Sequence, residues 1–467
     1  MINKRYSPRL HRTLTSVLAA ASLAGSMIYA AHGDRPATYW TVAAGDFYES
    51  VNWSLGSPNS TVDARIDNGG KATITTEAFQ SIPYVYLGSA QTTSGTLEVS
   101  TGGIAAFTTM IVGALNATGT LNIIGGGKLT TFGGPIGSDY LGVGMAKVDG
   151  PGSTWTITGS EMVLGGNGKG TAQLLNGGSL AVASGSGRVR LANHPLAEGN
   201  LQLGSGGAPG TVTASEIFNG EGRATVVFNH SSPFYSFAPK FTGLKTVNGF
   251  LNIQHTGPGT TVLTAPESNL AGTITVSAGT LVVNGNIKGS VRQVLVDETI
   301  VLEKNIGETS VLAGGTLGGT GFIEGKTTIS GVLSPGVGPG VLKFGGDLSL
   351  ESAGKVRIEL GGILRGTLFD GIDVEGVLAY GGTLEIVLTN GFLPDEGDTF
   401  DLFDGFESQT GGFSSILFSA EDYAGVFDPV TGVLTVVPEP GTIGLLIWAA
   451  IPLTMRRRNT TSRKFKE

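Results

Sequence analysis

Short runs of alternating apolar and polar residues recur along this chain, each opened by Gly-Thr or a similar pair and closed by a Gly pair. The copies stand at 94–103 (SGTLEVSTGG), 118–127 (TGTLNIIGGG), 169–178 (KGTAQLLNGG) and, more loosely, 198–207 (EGNLQLGSGG). Alternation with a period of two residues is typical of a strand with one buried face. Repetition of the same run predicts a stack of similar units.

A second short phrase lies between these runs, at 85–88 (VYLG), 110–113 (MIVG), 140–144 (YLGVG), 162–165 (MVLG) and, weakly, 188–192 (RVRLA). The first two runs begin 24 residues apart. One unit therefore has roughly 25 residues, and we expect it to hold two short strands joined by Gly-rich corners.

One unit of the series is degenerate, because 146–155 (AKVDGPGSTW) places a Pro-Gly turn and a Trp where the Gly pair would be. A single unit of this size cannot bury its apolar face, but stacked units can. Val, Ile, Leu and Thr favour strands, and Gly permits corners where neighbouring backbones come close. The pattern predicts an all-β fold, a parallel β-helix (β-solenoid). A β-propeller is disfavoured because its blades need four strands in about 40–50 residues.

Composition supports ordered β-structure and excludes several functions. Gly accounts for 76 of 467 residues, and the chain has no Cys, which excludes a disulfide framework, a thiolate metal site and a Cys nucleophile. The basic ends, 1–31 and 456–467, hold ten of the 29 Lys and Arg and one of the 37 acids, which leaves 19 basic and 36 acidic residues, a net charge of −17. A protein with this much negative charge would repel the phosphates of nucleic acid, which excludes binding through them.

The N-terminal part differs from the repeats. Residues 1–31 predict a secretory signal peptide, with a basic start and an apolar stretch at 14–24; an uncleaved anchor is the alternative. Residues 32–84 are expected to form strands that cap the open end of the solenoid. Trp40 and Trp53 are either buried in this cap or form a platform on which sugars stack.

The middle of the chain divides into a regular array at 85–207 and an irregular β segment at 208–268. His230 and His255 lie in the irregular segment without an acidic neighbour at ligand spacing, so we expect ordinary histidines and no metal site there. The pattern leaves open whether one solenoid runs through this segment or two are joined in it.

Residues 269–437 carry a new form of the repeat, first seen at 271–285 (AGTITVSAGTLVVNG). With Gly272-Thr273 and Gly279-Thr280-Leu281, this segment resembles the autotransporter-associated β-strand repeat. The resemblance implies a right-handed parallel β-helix stalk. Only 30 residues follow Val437, too few for the membrane barrel of a true autotransporter, so we expect a stalk without that barrel.

The end of the chain, 438–467, combines Pro438-Glu439-Pro440, an apolar run at 443–453 and the basic cluster Arg456-Arg457-Arg458. This arrangement resembles the PEP-CTERM sorting tail. The resemblance implies a single C-terminal membrane helix, with the arginines as a topology anchor on the cytoplasmic side. It also implies removal of the tail by an exosortase-type membrane enzyme that reads Pro438, Glu439 and Pro440. An unprocessed C-terminal anchor is the alternative.

No catalytic or cofactor motif stands out in the sequence. Asp370, Asp373 and Glu375 form the best acidic cluster, either a solvated edge or, less favoured, a Ca²⁺ site. We therefore expect no catalytic residue, no metal and no cofactor. The sequence predicts an exported, non-enzymatic protein of the cell surface or extracellular matrix, structural or adhesive, with extracellular polysaccharide as a potential partner. The alternative is a carbohydrate-binding or lyase-like β-helix protein, whose active form would need carboxylates and a basic residue stacked on adjacent units.

Overall fold

A computed structural model describes residues 35–243, 249–296, 299–305 and 307–437. The predicted signal peptide at 1–31 and the predicted sorting tail at 438–467 lie outside this part of the chain. The described residues form an all-β structure of stacked rungs. Each complete rung contributes one strand to each of three sides of the stack, and the strands along each side pair in parallel.

The first sheet has 15 strands in chain order. Its strands are β2 (Ala44–Asp46), β4 (Asn68–Ile74), β6 (Ser94–Val99), β8 (Thr118–Ile124), β10 (Val143–Asp149), β13 (Lys169–Leu175), β16 (Glu198–Leu203), β19 (Arg223–Phe228), β22 (Phe250–His255), β25 (Ile274–Val276), β29 (Thr309–Val311), β32 (Thr327–Ile329), β35 (Leu348–Leu350), β38 (Val377–Tyr380) and β42 (Ser408–Gly411). At about 4.8 Å between neighbouring strands, this sheet spans roughly 70 Å along the stack.

The second side of the stack is split into two eight-stranded sheets. The first consists of β1 (Ala37–Tyr39), β3 (Asp63–Ile66), β5 (Glu77–Leu87), β7 (Ile104–Val112), β9 (Lys128–Gly133), β11 (Thr154–Ile157), β14 (Ser179–Val182) and β17 (Thr211–Thr213). The second consists of β20 (Tyr235–Phe237), β23 (Thr260–Leu263), β26 (Gly279–Val283), β30 (Gly315–Gly319), β33 (Val332–Pro335), β36 (Lys355–Leu360), β39 (Thr383–Leu388) and β43 (Ser415–Phe418).

The third side was absent from the predicted two-strand unit. It comprises β12 (Glu161–Leu164), β15 (Arg188–Leu191), β18 (Glu216–Asn219), β21 (Lys240–Gly243), β24 (Glu267–Leu270), β27 (Asn286–Val296), β31 (Phe322–Ile323), β34 (Val341–Phe344), β37 (Gly371–Val374) and β41 (Phe403–Asp404). In the earlier rungs, the long strands β5 and β7 turn onto this side themselves. The phrases at 85–88 and 110–113 end β5 and β7, and the phrase at 162–165 ends β12, so all three occupy the third side. A strand β28 (Thr299–Asn305) pairs antiparallel with β27, and short 3-10 turns occupy Ser50–Asn52 and Ala183–Gly185.

The core is built from columns of apolar side chains that point inward from successive rungs. Leu97, Leu121 and Ala146 are register partners on β6, β8 and β10, and all three are buried. The alternation seen in the sequence produces this, since every second residue of a strand faces the same side. The first sheet continues without interruption through 208–268, so the described rungs form one stack there rather than two.

The degenerate unit is in register with its neighbours. Gly144 pairs with Gly119 before it and Gly170 after it, so β10 starts at Val143. A Cβ on Gly144 would overlap the carbonyl oxygen of Val112 in the preceding rung. The phrase predicted at 140–144 is therefore not the equivalent of its supposed copies. Ile136 takes that position, as the bridge partner of Val112 and Leu164.

Both ends of the described stack are covered by aromatic side chains. At the start, Phe47 packs edge-on against Trp53 with ring centroids 5.2 Å apart. At the other end, a three-stranded antiparallel sheet of β40 (Thr399–Asp401), β44 (Ala424–Asp428) and β45 (Val433–Val437) was not predicted from the sequence. Its Phe427 lies 5.3 Å from the ring of Tyr380. Such covers shield the core that an open rung would expose.

The predicted C-terminal membrane helix falls on residues that the structure does not describe. Among the residues that it does describe, no helix has the length and apolar character needed to cross a membrane.

Candidate binding surface

The two N-terminal tryptophans lie inside the cap. Trp40 is 3 % exposed and Trp53 is 4 % exposed, and their rings meet edge-on with centroids 5.0 Å apart. Trp53 Nε1 donates a hydrogen bond of 2.7 Å to the carbonyl oxygen of Phe47. Rings buried to this extent have no open face on which a sugar could stack.

The two histidines predicted to be ordinary residues meet in the core. His230 Nε2 lies 2.8 Å from Thr261 Oγ1, and His255 Nε2 lies 3.1 Å from the same atom. His255 Nδ1 lies 2.8 Å from the carbonyl oxygen of Ala278, which only accepts, so this nitrogen carries the proton. In the neutral His255 ring, Nε2 then accepts from Thr261, and the Thr261 oxygen accepts from Nε2–H of His230.

Burial holds both rings of this pair in the neutral form. It lowers the pKa of His230 to about 4, with a smaller contribution from the neighbouring His255. It also lowers the pKa of His255, against the opposing effect of the Ala278 carbonyl. Both side chains are fully buried, so this polar pair is a structural element of the core with no access for a substrate.

The acidic cluster at 370–375 is divided between the inside and the outside of the stack. Asp370 is fully buried and accepts backbone N–H groups of Gly340 and Glu359, each at 2.8 Å. Burial raises the pKa of Asp370 to about 7 despite these donors. Asp373 instead pairs with Arg365 at 2.8 Å and with Lys343 at 3.3 Å. The cluster does not converge on one point, and no group of three or more potential metal ligands occurs in the described ranges.

The residues of the predicted sorting tail, Pro438, Glu439, Pro440, Arg456, Arg457 and Arg458, are outside the described residues. Their predicted roles stay predictions.

The outward surface of the first sheet is a row of mostly uncharged polar side chains. In register order along the stack, this row contains Thr73, Glu98, Asn122, Lys147, Gln173, Gln202, Val227, Gln254, Thr275, Ser310, Thr328, Ser349, Ala379 and Thr410. Within it, Gln173 donates to the side-chain oxygen of Gln202 at 3.0 Å. Hydroxyl and amide groups thus recur at the rung spacing of about 4.8 Å.

Charges on the third side alternate from rung to rung. Glu161, Arg188, Glu216 and Lys240 are successive register partners on β12, β15, β18 and β21. Arg188 pairs with Glu161 and, at 3.9 Å, with Glu216. Carboxylates and a basic residue are therefore stacked, as a lyase-like enzyme would need. However, they neutralise one another, which favours a role in fixing the register of the strands.

A surface groove of about 420 Å³ crosses the second side near the N-terminal end. Phe132, 63 % exposed, stands in it on β9. Thr108 and Thr158 line it from the rungs on either side, and Thr130 precedes Phe132 on the same face. No side chain that lines the groove is charged. Beneath the groove, Trp155 Nε1 donates a buried hydrogen bond of 3.1 Å to Thr131 Oγ1.

Comparison with known proteins finds two partial similarities. The chain is 31 % identical over 203 residues to the adhesin BmaC autotransporter of Brucella suis biovar 1 (strain 1330), an alignment covering 41 % of this chain and 5 % of that protein. It is 27 % identical over 210 residues to the uncharacterized protein YuaQ of Escherichia coli (strain K12), covering 34 % of this chain and 15 % of that protein. No protein-family model matches the chain.

These similarities support the predicted resemblance to autotransporter β-repeat proteins in general. The chain spans only a small part of the length of either relative. The narrower resemblance to PEP-CTERM proteins stays a prediction.

Sequence reasoning missed the groove and the aromatic ring in it. The sequence does indicate the exposed ring, because alternation along 128–133 (KLTTFG) places Lys128, Thr130 and Phe132 on the outward face. A Phe at an outward position departs from the Thr and Ser found at neighbouring outward positions. The sequence does not indicate the concave shape of the groove, since that shape depends on how adjacent rungs are offset.

Proposed function

We propose that this chain is an exported, non-enzymatic protein of the cell surface or extracellular matrix, with a structural or adhesive role. The observation that carries the proposal is the first sheet, which runs uninterrupted through 15 rungs in the described part of the chain. The partial similarity to an autotransporter adhesin supports the adhesive role.

A stack of this kind suits a display function for physical reasons. Each rung is bonded to its neighbours through backbone hydrogen bonds, so the sheets resist bending and leave few frayed segments for proteases. Loops and outward side chains then present the same polar chemistry repeatedly along roughly 70 Å. Repeated weak contacts from one rod add up to strong attachment when the partner also repeats.

The ionisable groups also favour a structural role. Glu161 and Glu216 pair with Arg188, Asp373 pairs with Arg365, and Asp370 accepts backbone N–H groups inside the core. A catalytic acid or base needs access to substrate as well as a shifted pKa. The strongly shifted groups described here, His230 and Asp370, are fully buried.

The proposal includes the sorting tail. The tail 438–467 would hold the precursor in the membrane through a C-terminal helix until an exosortase-type enzyme cleaves near Pro438, Glu439 and Pro440. The basic residues Arg456, Arg457 and Arg458 support this, because they would hold the end of the tail inside.

The sorting part can be tested by intact mass and protease accessibility of the protein in its own host. We expect a C-terminus near 438–440 and digestion by protease added to whole cells. Glu439→Ala should leave a full-length, membrane-bound C-terminus, whereas Glu421→Ala, an exposed acid on the described stack, should be processed normally. An unprocessed wild-type chain shielded from protease in intact cells would refute both the sorting and the surface location.

The adhesive part can be tested with cells that lack the gene and cells that regain it. We expect the loss to reduce retention of cells in biofilm under flow, and wild-type protein to restore it. If retention is the same with and without the protein, the adhesive role is wrong and a purely structural role remains.

A further inference from the structure

We infer that the groove around Phe132 is a binding site for a neutral carbohydrate, with one sugar ring stacked on the phenyl face. This goes beyond the proposed function, because it assigns a ligand class and a place to bind it. The groove measures about 420 Å³, within the range of roughly 300–1,000 Å³ typical of small-molecule sites.

The groove has a structural cause. The pairing of β5 with β7 shifts register between Ala78 and Ile82, so β5 has two more residues than β7 over this stretch. Ser81, next to this bulge, lines one wall of the groove, and Thr158, directly after β11, lines the opposite wall. Bulges of this kind commonly lie beside binding sites, because they break the flat surface of a sheet.

The backbone of Phe132 is hydrogen-bonded to the next rung, and the ring lies close to that rung. Gly159 donates its N–H to the carbonyl oxygen of Phe132 at 2.9 Å, and the ring edge lies close to the Cα side of Gly159. An aromatic face carries a negative quadrupole, which attracts the polarised C–H groups on the apolar face of a pyranose. A single exposed Phe is unremarkable in itself; its position inside a groove of hydroxyl groups is what indicates a ligand.

The surrounding side chains match the hydroxyls of a sugar. Thr108 and Thr130 make no side-chain hydrogen bond within the described residues, and Thr158 makes only a long one of 3.3 Å, to the Thr131 carbonyl oxygen. A hydroxyl both donates and accepts, as does each hydroxyl of a sugar. The absence of charge among the lining side chains favours a neutral ligand over a charged one.

The surface beyond the groove favours a chain of sugars over a single one. Thr130 is followed in register by Thr156, and that column then reaches Ala181. A second outward column, two residues earlier on the strands, consists of Thr154, Ser179 and Thr211. Hydroxyl groups therefore continue along three further rungs at about 4.8 Å per rung, a spacing comparable to the length of one sugar unit. A polysaccharide could lie along the stack with one residue anchored on Phe132.

The test is native affinity electrophoresis of the purified chain in gels that contain hydroxyethyl cellulose, dextran, galactomannan or, as an anionic comparison, alginate. We expect at least one neutral polysaccharide to retard the protein. Phe132→Ala should raise the apparent dissociation constant about tenfold. Phe234→Ala is the matched control, because Phe234 is 65 % exposed but far along the chain from the groove, and it should bind like the wild type.

Two conservative variants separate binding from folding. Phe132→Tyr keeps the ring and should retain binding, whereas Thr158→Val removes a hydroxyl beneath an intact ring and should weaken binding several-fold. Retardation that is equal for wild type and Phe132→Ala would overturn the inference, as would retardation by alginate alone or by none of the polysaccharides. The assay uses the purified chain, so its result does not depend on sorting. If the protein is not displayed on cells, binding to a polysaccharide would still support the site. If the protein is displayed but binds no polysaccharide, the site is wrong and the proposed function stands.

Discussion

Replacing Gly113 with Ala should destabilise the stack around that residue. Two effects contribute, the positive φ and a clash between rungs, and the same substitution at Gly206 separates them. Gly113 lies at the corner before β8 with a φ of 72°. A Cβ there would overlap the carbonyl group of Val143 in the next rung. Gly206 has a similar φ of 93°, but a Cβ there would have no atom within 4 Å. The two glycines thus share the backbone conformation and differ in the close contact between rungs.

The expected loss of stability is the sum of two costs, one for the positive φ and one for the clash between rungs. An Ala held at positive φ costs about 1 kcal/mol relative to Gly, and this is all that Gly206→Ala should lose. Forcing an extra methyl group into a packed contact costs about 1–3 kcal/mol more. Gly113→Ala should therefore lose about 2–4 kcal/mol.

Native-state hydrogen exchange is the suitable assay, because a stack of repeats need not unfold in one step. The informative amides are those of Gly113, which donates to the Leu87 carbonyl at 2.9 Å, and Gly137, which donates to the Val112 carbonyl at 2.7 Å. In Gly113→Ala they should exchange about 30- to 1,000-fold faster, at 1.4 kcal/mol per tenfold. Amides of the distant β34 should not change and serve as an internal reference.

Two results would refute this reasoning. If both variants accelerate exchange equally, the contact between rungs is not what requires Gly at position 113. If β34 accelerates as much as the rungs around Gly113, stability is not local and the stack unfolds as one unit.

Three further outcomes are expected. The pKa of His230 is lowered to about 4, so the unfolded chain binds more protons than the folded chain below pH 6.5. The opening free energy around β22 and β23 should therefore be nearly constant above pH 6.5, and His230 alone should lower it by about 2 kcal/mol at pH 5. The lowered pKa of His255 acts in the same direction; hydrogen exchange that shows no fall between pH 7 and pH 5 would contradict this. The pKa of Asp370 is raised to about 7, so the folded state binds more protons between pH 4 and 7, and exchange around β34 and β37 should show about 3 kcal/mol more stability at pH 5 than at pH 8. Arg188→Glu would place three carboxylates in one column and should cost about 1–2 kcal/mol in denaturant unfolding, less at 1 M salt; Lys128→Glu, the same charge change at an exposed residue, should stay within about 0.5 kcal/mol.

The regular strands could be predicted because their signal is local. The runs at 94–103, 118–127, 169–178 and 198–207 contain β6, β8, β13 and β16, since alternation and the Gly pair lie within ten residues of each other. The degenerate unit was predicted at 146–155, but its strand β10 starts three residues earlier, because it opens with Val143-Gly144-Met145 in place of Gly-Thr. What fixes its register is the close approach of Gly144 to the Val112 carbonyl, a contact between rungs that the sequence shows only as one Gly among many.

The buried histidines show a signal that could have been used. His230 and His255 are 25 residues apart, close to the local rung length of 27 residues that pairs Phe228 with His255. The stack therefore brings the two histidines to neighbouring rungs, with ring centroids 5.7 Å apart. Repeat length converts separation in sequence into adjacency in space, and applying it to polar residues would have predicted the pair. It would not have predicted Thr261, which joins the two rings from a different side of the stack.

The same reasoning explains why the candidate site could not be predicted from the sequence. Repetition determines the sheets, and a repeated surface offers the same contacts at every rung, so a distinct site requires a departure from the repeat. Phe132 is a departure in side chain and is visible in the alternation of β9. The shift between Ala78 and Ile82 is a departure in register. Pro83, directly after it, indicates an irregular strand, but it does not give the size of the shift. The groove lies where both departures fall within three successive rungs, those of β5, β7 and β9. Searching a solenoid for function therefore means comparing each rung with its neighbours and asking which ones fail to match.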